Sequence, residues 1–536
     1  MKVSAMLHSN CVLDAMSAHD RDTAIRQLLS AVATVRGIDM EPALRDIAAR
    51  ERAGVTLMPA GPYNIAVPHA CTNACKQLVM AIGTSQDGIP WGQSGKAHVV
   101  VLLMIPPPAH ALHLRVLSRI ARLCGTPDFI ESLVKARSSP DLIERLKLAE
   151  EPLGELSEDS GSPTFCVLGA GHGGMAMAAH LAINGLRVNL FNRSDERLLP
   201  VQARGGIDVT GEIEGFASLN MITSDPAEAI RNADILMVVV PATAHRTIAE
   251  IVAPHLKDGQ IIVLNPGRTG GALEVSQIIR KINPSVRPYL AETQSLLYTC
   301  RVTNPGQVRI FSIKNSLPLA TLPAYQVVDV LPVLRKALPQ FVPGDNVLKT
   351  GLDNIGAVFH PTITVLNSAR IEDTHGDFEY YVEGVTTSVA RVLEAVDRER
   401  TEVASALGIR ANTAREWLYL AYDAAGKTLL HAMRANPGYR GIKAPGTIEH
   451  RYITEDVPTS LVPIASIGEM LKIPTPAIRA IIHLASVMHD VDYWAEGRTV
   501  DKLGIQGMSI KDIMFLVVGA EPAGQGVSVL PGPDLL

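Results

Sequence analysis

The sequence is poor in several features that would assign it to a specialised class of protein. Aromatic residues make up only 4% of the 536 residues, and the six cysteines are scattered along the chain. So few cysteines exclude a disulfide-stabilised framework and indicate reduced thiols, as in a cytoplasm. The net charge of −5 supplies no basic surface, and we therefore expect no nucleic-acid partner.

Long hydrophobic runs are also missing. The longest apolar run, Val99–Pro108, is too short to cross a bilayer, so we predict no insertion into a membrane. The N-terminal residues lack the apolar region of a signal peptide, and we expect a cytoplasmic protein. What the chain does contain is 47% hydrophobic residues, which predicts a globular protein of about two to four domains.

A glycine-rich turn lies well inside the chain and is its most informative motif. An apolar strand runs into the turn GAGHGG, which spans Gly169–Gly174, and an alanine-rich helix follows. In this Gly-x-Gly-x-x-Gly pattern, the glycines let backbone N–H groups approach a pyrophosphate at a helix N-terminus. We therefore predict that Gly169, Gly171 and Gly174 bind a dinucleotide.

The residues at the end of the second predicted strand bear on which dinucleotide is bound. A carboxylate there would bind the ribose 2′-hydroxyl of NAD, but the chain has Asn192 and Arg193. Arg193 can pair with a 2′-phosphate, which favours NADP. Asp195 lies close enough to keep NAD open, and Arg193 as an ordinary surface charge stays open too. Loops at 240–242 and 265–271 follow later predicted strands, and we expect them to line the ligand crevice.

The segments after the turn alternate between strand-like and helix-like patterns. Near-continuous apolar runs at 187–191, 233–241 and 260–266 predict buried parallel strands of a doubly wound sheet. Further along, β signals become few and helical spacing takes over. We predict a Rossmann-type α/β domain at 164–346 and an all-helical domain at 347–518.

The N-terminal part forms a separate predicted domain. An acidic segment rich in Ser, Gly and Pro occupies residues 150–163 and has the composition of a flexible linker. We predict an α/β domain at 1–149 before it, and a peripheral C-terminal tail at 519–536. The predicted fold class is thus α/β, with two α/β domains and an all-helical domain after them.

Two segments of the predicted helical domain combine a histidine with a carboxylate. His360 precedes a proline in the segment Asn354–Pro361, and Asp456 belongs to the charged run that begins at Arg451. A histidine exchanges a proton near neutral pH, and a carboxylate can fix its tautomer. Arg451 can hold a substrate carboxylate through a bidentate contact. Because the chain has 16 histidines, the residues alone leave this pairing open.

Together these motifs resemble the opine dehydrogenases of the octopine/nopaline type over residues 165–504. The resemblance includes the nucleotide turn, the His-Pro pair, the run Arg-Tyr-x-Thr-Glu-Asp-x-Pro and the segment Asp492–Gly504. It implies a substrate site between the α/β and helical domains. It also implies NAD(P)H-dependent reductive condensation of a 2-oxo acid with an amino acid, or the reverse oxidation.

The same resemblance implies roles for individual residues. His360 is expected to be the catalytic histidine, Asp456 its partner and Arg451 the residue that binds substrate, while Thr293 is a further expected contact to the substrate. The segment Leu297–Arg301 departs from the family's Pro-Trp-Ala-Cys-Arg form. The identities of the amino acid and the oxo acid therefore stay open.

The front domain has its own histidine motif. An apolar strand delivers His69 directly after a proline, and His113 follows the next predicted strand. A histidine phosphorylated on one nitrogen needs an exposed ring and donors for the phosphoryl oxygens. The pattern resembles the enzyme IIA domains of the fructose/mannitol class of the phosphotransferase system over residues 24–146. The resemblance implies His69 as phosphoryl acceptor, His113 and Arg50 as supporting residues, and the system's phosphocarrier protein as a partner.

A metal site is the competing interpretation of this motif. Cys71 and Cys75 stand close to His69 in the sequence, but a clear fourth ligand is missing. We therefore expect no metal.

Two other functions stay open for the whole chain. The first is a phosphocarrier or signalling protein whose dehydrogenase half senses nucleotide without turnover. The second is a 2-oxo acid reductase that needs no amine. In the favoured interpretation the chain is an enzyme regulated by its front domain. Its oligomeric state stays open, and a homodimer is one option.

Overall fold

The computed structural model describes residues 2–53, 56–60, 62–92, 95–106, 110–124, 126, 128–153 and 162–519. The middle of the predicted linker and nearly all of the predicted C-terminal tail lie outside the described residues. Within them, an α/β front domain is followed by a second α/β domain and a helical domain, so the predicted fold class is confirmed.

A six-stranded mixed sheet forms the centre of the front domain. Its strands are β1 (Leu7–Leu13), β2 (Leu57–Ala60), β3 (Tyr63–Ala66), β4 (His69–Cys71), β5 (Val79–Pro90) and β6 (Lys96–Ile105). The strand order is β1-β5-β6-β3-β2, and β4 pairs with β6 beyond the end of β3. Because β4 is parallel to β6, His69 lies opposite Leu103 near the carboxyl end of that strand.

Helices cover both faces of this sheet. They are α1 (Arg21–Arg36), α2 (Met40–Ala53), α3 (His110–Cys124), α4 (Phe129–Val134) and α5 (Ser139–Glu150). Successive residues of a strand face opposite sides, so Val100 and Leu102 of β6 pack with α1 and α2 while Val101 and Leu103 pack with α3–α5. Burial on both faces explains why β6 is apolar almost throughout.

The front domain extends slightly into the segment predicted as linker. Glu150 is the last residue of α5, and its buried carboxylate accepts hydrogen bonds from the backbone N–H of Val3 and Ser4. A 3₁₀ turn then covers Glu151–Leu153. These residues belong to the folded domain because they hold its N-terminus against α5.

The second domain is built on an eight-stranded sheet. Its strands are β7 (Phe165–Leu168), β8 (Val188–Phe191), β11 (Met221–Thr223), β12 (Ile235–Val238), β13 (Ile261–Leu264), β14 (Tyr289–Thr293), β17 (Leu317–Leu322) and β18 (Phe341–Pro343). The order is β11-β8-β7-β12-β13-β14-β17-β18, and the first six strands are parallel. The strand order therefore reverses between β7 and β12, where a doubly wound sheet opens its ligand crevice.

Six helices connect these strands. They are α6 (His172–Ile183), α7 (Leu199–Arg204), α8 (Pro226–Ile230), α9 (His245–Val252), α10 (Gly271–Ile282) and α11 (Val327–Arg335). A second sheet, which the sequence did not predict, has the order β10-β9-β16-β15 and packs on α6. Its strands are β9 (Gly206–Gly211), β10 (Gly215–Ser218), β15 (Tyr298–Asn304) and β16 (Gln307–Ile313).

The third domain is helical, as predicted. Its helices are α12 (Val347–Leu352), α13 (Gly356–Leu366), α14 (Ser368–Thr374), α15 (Thr387–Ala406), α16 (Ala414–Tyr422), α17 (Leu429–Ala435), α18 (Arg451–Thr454), α19 (Val462–Leu471), α20 (Pro476–His489), α21 (Tyr493–Glu496) and α22 (Ile510–Val518). A π-helical turn covers Val457–Leu461. Across the part of the chain that the structure describes, no helix is both long and apolar enough to span a membrane.

The helical domain and the second α/β domain share one hydrophobic core. Leu264 and Ala272 of the α/β domain belong to the same buried cluster as Leu352 and Phe359. Arg498, from the segment after α21, donates to the carbonyl oxygens of Ala242 at 2.9 Å and Gly267 at 3.1 Å, and pairs with Glu274 at 2.7 Å. This shared core places the loops at the carboxyl ends of β12 and β13 against the helical domain.

Candidate functional sites

The glycine-rich turn joins β7 to α6 at the point where the strand order reverses. Gly169 has φ +116°, and a Cβ on it would lie 2.6 Å from the Val239 carbonyl oxygen. A Cβ on Gly174 would collide with the carbonyl oxygen of Gly169. Gly171 is the N-cap of α6, and a Cβ there would meet nothing closer than Arg197 Nη1 at 3.7 Å. The outer glycines are thus needed for packing, and Gly171 leaves room for a pyrophosphate at the helix N-terminus.

The residues after β8 form the rim of this turn. The Asn192 side-chain oxygen accepts a hydrogen bond from the Ala170 N–H at 3.1 Å, so Asn192 fixes the shape of the turn. Arg193 is exposed, as is Asp195. Arg197 is exposed as well and reaches towards Gly171, and it is a second cation at the rim that the sequence analysis did not single out.

His360 and Asp456 meet although 96 positions separate them. His360 lies on α13, and its Nδ1 is 2.8 Å from Oδ2 of Asp456, the residue that precedes the π-helical turn. The Asp456 side chain is fully buried, whereas the His360 side chain is 20% exposed. Since a carboxylate only accepts, Nδ1 of His360 holds the hydrogen and Nε2 is the nitrogen left for a substrate.

Tyr452 and the backbone around His360 fix the orientation of the imidazole. The Tyr452 ring stacks on the imidazole, with 4.1 Å between centroids and 18° between planes. The Tyr380 hydroxyl donates to the His360 carbonyl oxygen at 2.8 Å. Asp456 therefore holds the imidazole at its Nδ1 edge, and Tyr452 packs against one face of the ring.

Arg268 completes this constellation from the α/β domain. It lies in the loop after β13, has φ +59°, and places Nη1 2.9 Å from Oδ1 of Asp456. Its Nε is 3.4 Å from Oε1 of Glu455. Burial opposes ionisation of Asp456, but Arg268 and His360 outweigh it, so the pKa of Asp456 lies below its ordinary value. Asp456 is thus an ionised carboxylate between an arginine and the imidazole.

Arg451 lies at the open side of the same cluster. Its side chain is 56% exposed, and its Nε is 3.2 Å from Oε2 of Glu455, which is buried. Burial and nearby arginines, Arg451 among them, lower the pKa of His172 in the glycine-rich turn. Arg451 therefore lies near enough to the turn for its charge to act on His172, and its side chain is exposed.

Thr293 is buried inside the α/β domain, although the resemblance predicts that it contacts the substrate. It is the last residue of β14, fully buried, and its hydroxyl donates to the carbonyl oxygens of Ser295 at 2.9 Å and Leu264 at 3.3 Å. Its backbone carbonyl accepts from Gly267 N–H, at the base of the loop that contains Arg268. The role of Thr293 in substrate binding stays a prediction.

Sequence reasoning missed several residues of this cleft: Arg268, Glu455, Tyr452 and Lys314. Lys314 follows β16, and desolvation and the charge of Arg268 lower the pKa of Lys314 to about 8. A signal for Arg268 was available, because loops at the carboxyl ends of parallel strands line the crevice. No comparable signal marks Lys314, an exposed residue at the end of the unpredicted second sheet whose ammonium donates to the Ser295 hydroxyl.

The front-domain residues predicted as a phosphoryl site also come together. The rings of His69 and His113 meet edge to face, with 5.1 Å between centroids. Arg50 lies on α2 and is joined to His69 by a fourth residue, Asp329 on α11 of the second domain, which contacts both side chains. Asp329 Oδ1 is 3.1 Å from His69 Nε2, and its Oδ2 is 3.2 Å from Arg50 Nη2.

The exposure of His69 differs from the expectation. We expected an exposed ring, but His69 is only 4% exposed because Asp329 and α11 cover it. His69, His113 and Asp329 each place one potential ligand atom within 4.8 Å of the others, a set in which a cation is conceivable. The cysteines of the rejected metal hypothesis, Cys71 and Cys75, do not belong to this set.

Family models match the chain in three consecutive parts. Residues 5–148 match the EIIA 2 family of the phosphoenolpyruvate-dependent sugar phosphotransferase system. Residues 164–287 match the N-terminal domain of NAD-dependent glycerol-3-phosphate dehydrogenase, and residues 343–489 match the α-helical domain of NAD/NADP octopine/nopaline dehydrogenase. The three matches follow the three domains of the structure.

Characterised relatives match the second and third domains together. The chain is 41% identical to the opine dehydrogenase of Arthrobacter sp. (strain 1C) over 357 residues, which cover 66% of this chain and 99% of the relative. It is 24% identical to protein ocs of Agrobacterium tumefaciens (strain Ach5), covering 66% of this chain and 98% of that protein.

Solved structures share the fold of the same two domains. Octopine dehydrogenase with NADH and L-arginine has a TM-score of 0.57 at 21% identity, covering 68% of this chain and all of that one. Yersinopine dehydrogenase with NADP⁺ has a TM-score of 0.53 at 15% identity, covering 64% and 93%. The chain therefore belongs to the opine dehydrogenase family, the NAD(P)H-dependent oxidoreductases that condense a 2-oxo acid reductively with an amino acid, and has an additional enzyme IIA-type domain in front.

Proposed function

We propose that His360 is the proton-transferring residue of this opine dehydrogenase, and that Asp456 holds it in the active tautomer. The observation that carries the proposal is the buried contact of 2.8 Å between His360 Nδ1 and Asp456 Oδ2. Imine formation from a ketone and an amine releases water, and reduction of the imine consumes one proton. Nε2 of His360, on the partly exposed side of the ring, donates or removes protons in these steps.

Arg451 is the proposed binding residue for a substrate carboxylate. Both substrate classes, a 2-oxo acid and an amino acid, have a carboxylate that a guanidinium can bind through two parallel hydrogen bonds. Nε of Arg451 lies 3.2 Å from Oε2 of Glu455 and the side chain is 56% exposed, so we propose that the terminal nitrogens form such a pair. Arg268 is committed to Asp456 and Glu455, and we propose that it positions the proton-transferring pair rather than the substrate.

The glycine-rich turn is the proposed site of the NAD(P) pyrophosphate, and Arg193 favours NADP. The open space in front of Gly171 fits a pyrophosphate at the N-terminus of α6, and Asn192 keeps the turn in shape. Bound NAD(P)H supplies the hydride for imine reduction. Arg193 and Arg197 at the exposed rim would pair with a 2′-phosphate, whereas Asp195 is the residue that would suit NAD.

A substrate panel tests this proposal. Oxidation of NADPH and of NADH is followed with pairs of 2-oxo acids and amino acids, and each pair is repeated without the amine. We expect turnover only when both substrates are present. Turnover without an amine would favour a 2-oxo acid reductase, and nucleotide binding without any turnover would favour the signalling alternative.

The front domain is proposed to accept a phosphoryl group on His69, with His113 and Arg50 as supporting residues. The observation that supports this second function is the cluster of these three residues around the Asp329 carboxylate, an anion held where phosphoryl oxygens would need donors. The proposed donor is the phosphohistidine of the phosphotransferase system's phosphocarrier protein. Phosphorylation would regulate the fused enzyme.

Labelling the full chain tests the second function. Phosphoenolpyruvate, enzyme I and the phosphocarrier protein are added, and acid-labile phosphate on the chain is measured. We expect label on the wild type and none on His69→Ala, with His8→Ala as a matched control that keeps its label because His8 lies on β1, away from the cluster. Absence of label under all conditions would refute the function.

Two further expectations remain proposals. A cytoplasmic location is supported by the six cysteines, all of which are free thiols. We also propose that the protein can form a homodimer, and a measurement of its mass in solution would test this.

A further inference from the structure

Ion pairs join the front domain to the second domain. Among the described residues, three such pairs place an arginine of the front domain against an aspartate of the second domain. They are Arg50–Asp329, Arg115–Asp234 and Arg122–Asp258. The backbones also approach closely, because a Cβ on Gly259 would lie 2.7 Å from Cα of Arg115. We call this contact the domain interface.

Asp329 is the member of the domain interface that enters the histidine cluster. Its carboxylate is 6% exposed, and it contacts His69 Nε2 at 3.1 Å and Arg50 Nε and Nη2 at 3.4 and 3.2 Å. Burial opposes its ionisation, but His69, Arg50 and His113 outweigh this, so the pKa of Asp329 lies well below its ordinary value. An ionised carboxylate of the second domain thus fills an anion-binding pocket of the front domain.

Both ring nitrogens of His69 are occupied in this arrangement. Nδ1 lies 2.7 Å from the Val67 carbonyl oxygen, and Nε2 lies 3.1 Å from the Asp329 carboxylate. With the ring only 4% exposed, the Asp329 carboxylate stands where a phosphorus atom would have to approach Nε2. The docked arrangement therefore blocks access of a phosphoryl donor to His69.

We propose that Asp329 occupies the phosphoryl-binding pocket of the front domain in cis, so that docking of the two domains and phosphorylation of His69 exclude each other. This inference rests on the proposed function of His69 as phosphoryl acceptor. After undocking, Nε2 is open to solvent while Nδ1 keeps its hydrogen bond to the Val67 carbonyl oxygen. The Nε2 lone pair of the neutral imidazole then attacks the phosphorus of the carrier's phosphohistidine, whose ring is protonated on its other nitrogen. The carrier's nitrogen–phosphorus bond breaks, and the carrier's imidazole leaves neutral.

The phosphorylated state cannot return to the docked arrangement. A phosphoryl group on Nε2 would occupy the space of the Asp329 carboxylate and add about two negative charges beside it. The same Arg50 that now pairs with Asp329 would instead pair with the phosphoryl oxygens. Phosphorylation therefore exchanges one anion in the pocket for another and releases α11.

A divalent cation is the other ligand that this cluster suggests. His69, His113 and Asp329 are a chemically reasonable ligand set. However, the Arg50 guanidinium shares the Asp329 carboxylate and would lie next to the cation, which it would repel. The observations therefore favour an anion in this pocket, and the cation becomes an outcome of the test.

The test compares the full-length wild type with Asp329→Asn and Asp329→Lys. The control is Glu214→Lys, which changes the net charge as much as Asp329→Lys does, in the exposed turn between β9 and β10. The initial rate of phosphoryl transfer from phosphorylated carrier is measured, together with hydrogen exchange in α11. We expect both Asp329 variants to be labelled about tenfold faster than the wild type and the control, since a larger fraction is undocked. We also expect phosphorylation of the wild type to speed exchange in α11.

Three results would overturn the inference. The first is an equal labelling rate in the wild type and both Asp329 variants, provided that all three melt cooperatively. It would refute the mutual exclusion of docking and phosphorylation while leaving His69 as the acceptor. Absence of label in every chain would refute the acceptor function and the inference with it. Tight binding of Zn²⁺ alone, lost in Asp329→Asn and in His69→Ala, would identify a metal site instead.

Discussion

Nη1 of Arg268 lies 2.9 Å from Oδ1 of Asp456, and both side chains are buried. This ion pair joins a loop of the nucleotide-binding domain to the helical domain that contributes His360. Because the other oxygen of Asp456 holds His360, the position of the imidazole depends on both domains at once.

Replacing Arg268 by Met leaves Asp456 buried without its main positive partner. We expect a loss of about 3–5 kcal/mol in the free energy of unfolding, as for other broken buried pairs. Without the guanidinium the pKa of Asp456 rises, so the acidic limb of the pH profile of kcat/KM moves to higher pH. Arg246→Met is the control, because Arg246 pairs with Glu274 from a side chain that is 44% exposed. A cost there of more than about 1 kcal/mol would be unexpected, and an unchanged acidic limb in Arg268→Met would contradict the prediction.

Replacing His360 by Ala removes the proposed proton-transferring group and leaves the glycine-rich turn intact. We expect kcat to fall about 10²–10⁴-fold while the Kd for NADPH stays nearly unchanged. Steady-state kinetics and a fluorescence titration of NADPH measure the two quantities. Asp456→Asn added to His360→Ala should lower kcat little further, because the two residues act as a unit. An equal loss of turnover and cofactor affinity would mean that His360 is structural.

Glu292 predicts a pH dependence of stability. Burial raises the pKa of Glu292 from 4.5 to about 7, although the hydroxyl of Thr350 and the N–H of Ala272 donate to its carboxylate. The folded state therefore holds a proton that the unfolded state releases above pH 4.5. The contribution of this group to stability is complete below that pH and is lost as the pH rises to about 7.

Glu292→Gln removes this titration and provides the measurement. The difference in free energy of unfolding, variant minus wild type, should rise by about 3 kcal/mol between the two pH values. Thr350→Val removes one hydrogen-bond donor to the Glu292 carboxylate, so the pKa of Glu292 should rise further. The loss of stability should then extend to higher pH. A difference that is constant across this range would contradict the prediction. Denaturant unfolding at a series of pH values measures it.

Arg193 predicts the choice between the two nicotinamide cofactors. Arg193→Ala should weaken NADPH about tenfold, since a charge-assisted contact to a 2′-phosphate is lost, and leave NADH unchanged. Arg309→Ala, an exposed arginine on the second sheet, is the matched control. If Arg197→Ala alone lowers NADPH affinity, the phosphate contact belongs to Arg197. Equal weakening of NADPH and NADH in Arg193→Ala would refute the preference.

The part of the fold that the sequence predicted consists of segments with strong local patterns. The apolar runs at 187–191, 233–241 and 260–266 became β8, β12 and β13 because strands buried on both faces must be apolar throughout. The second sheet was missed because β10 and β15 are largely exposed, so their alternation of apolar and polar residues is weak.

Sequence alone determined which residues are the candidates for chemistry: the glycines of the turn, His360 with its charged partner segment, and the histidines of the front domain. Their local motifs restrict backbone geometry, so they can be recognised within a few positions. Only the tertiary structure decided that Asp456 forms an ion pair with Arg268. It also decided that His69 contacts Asp329, which lies 260 residues away in the sequence. Such meetings depend on how whole domains pack against each other, and the pattern of a single segment does not encode where that packing places a carboxylate.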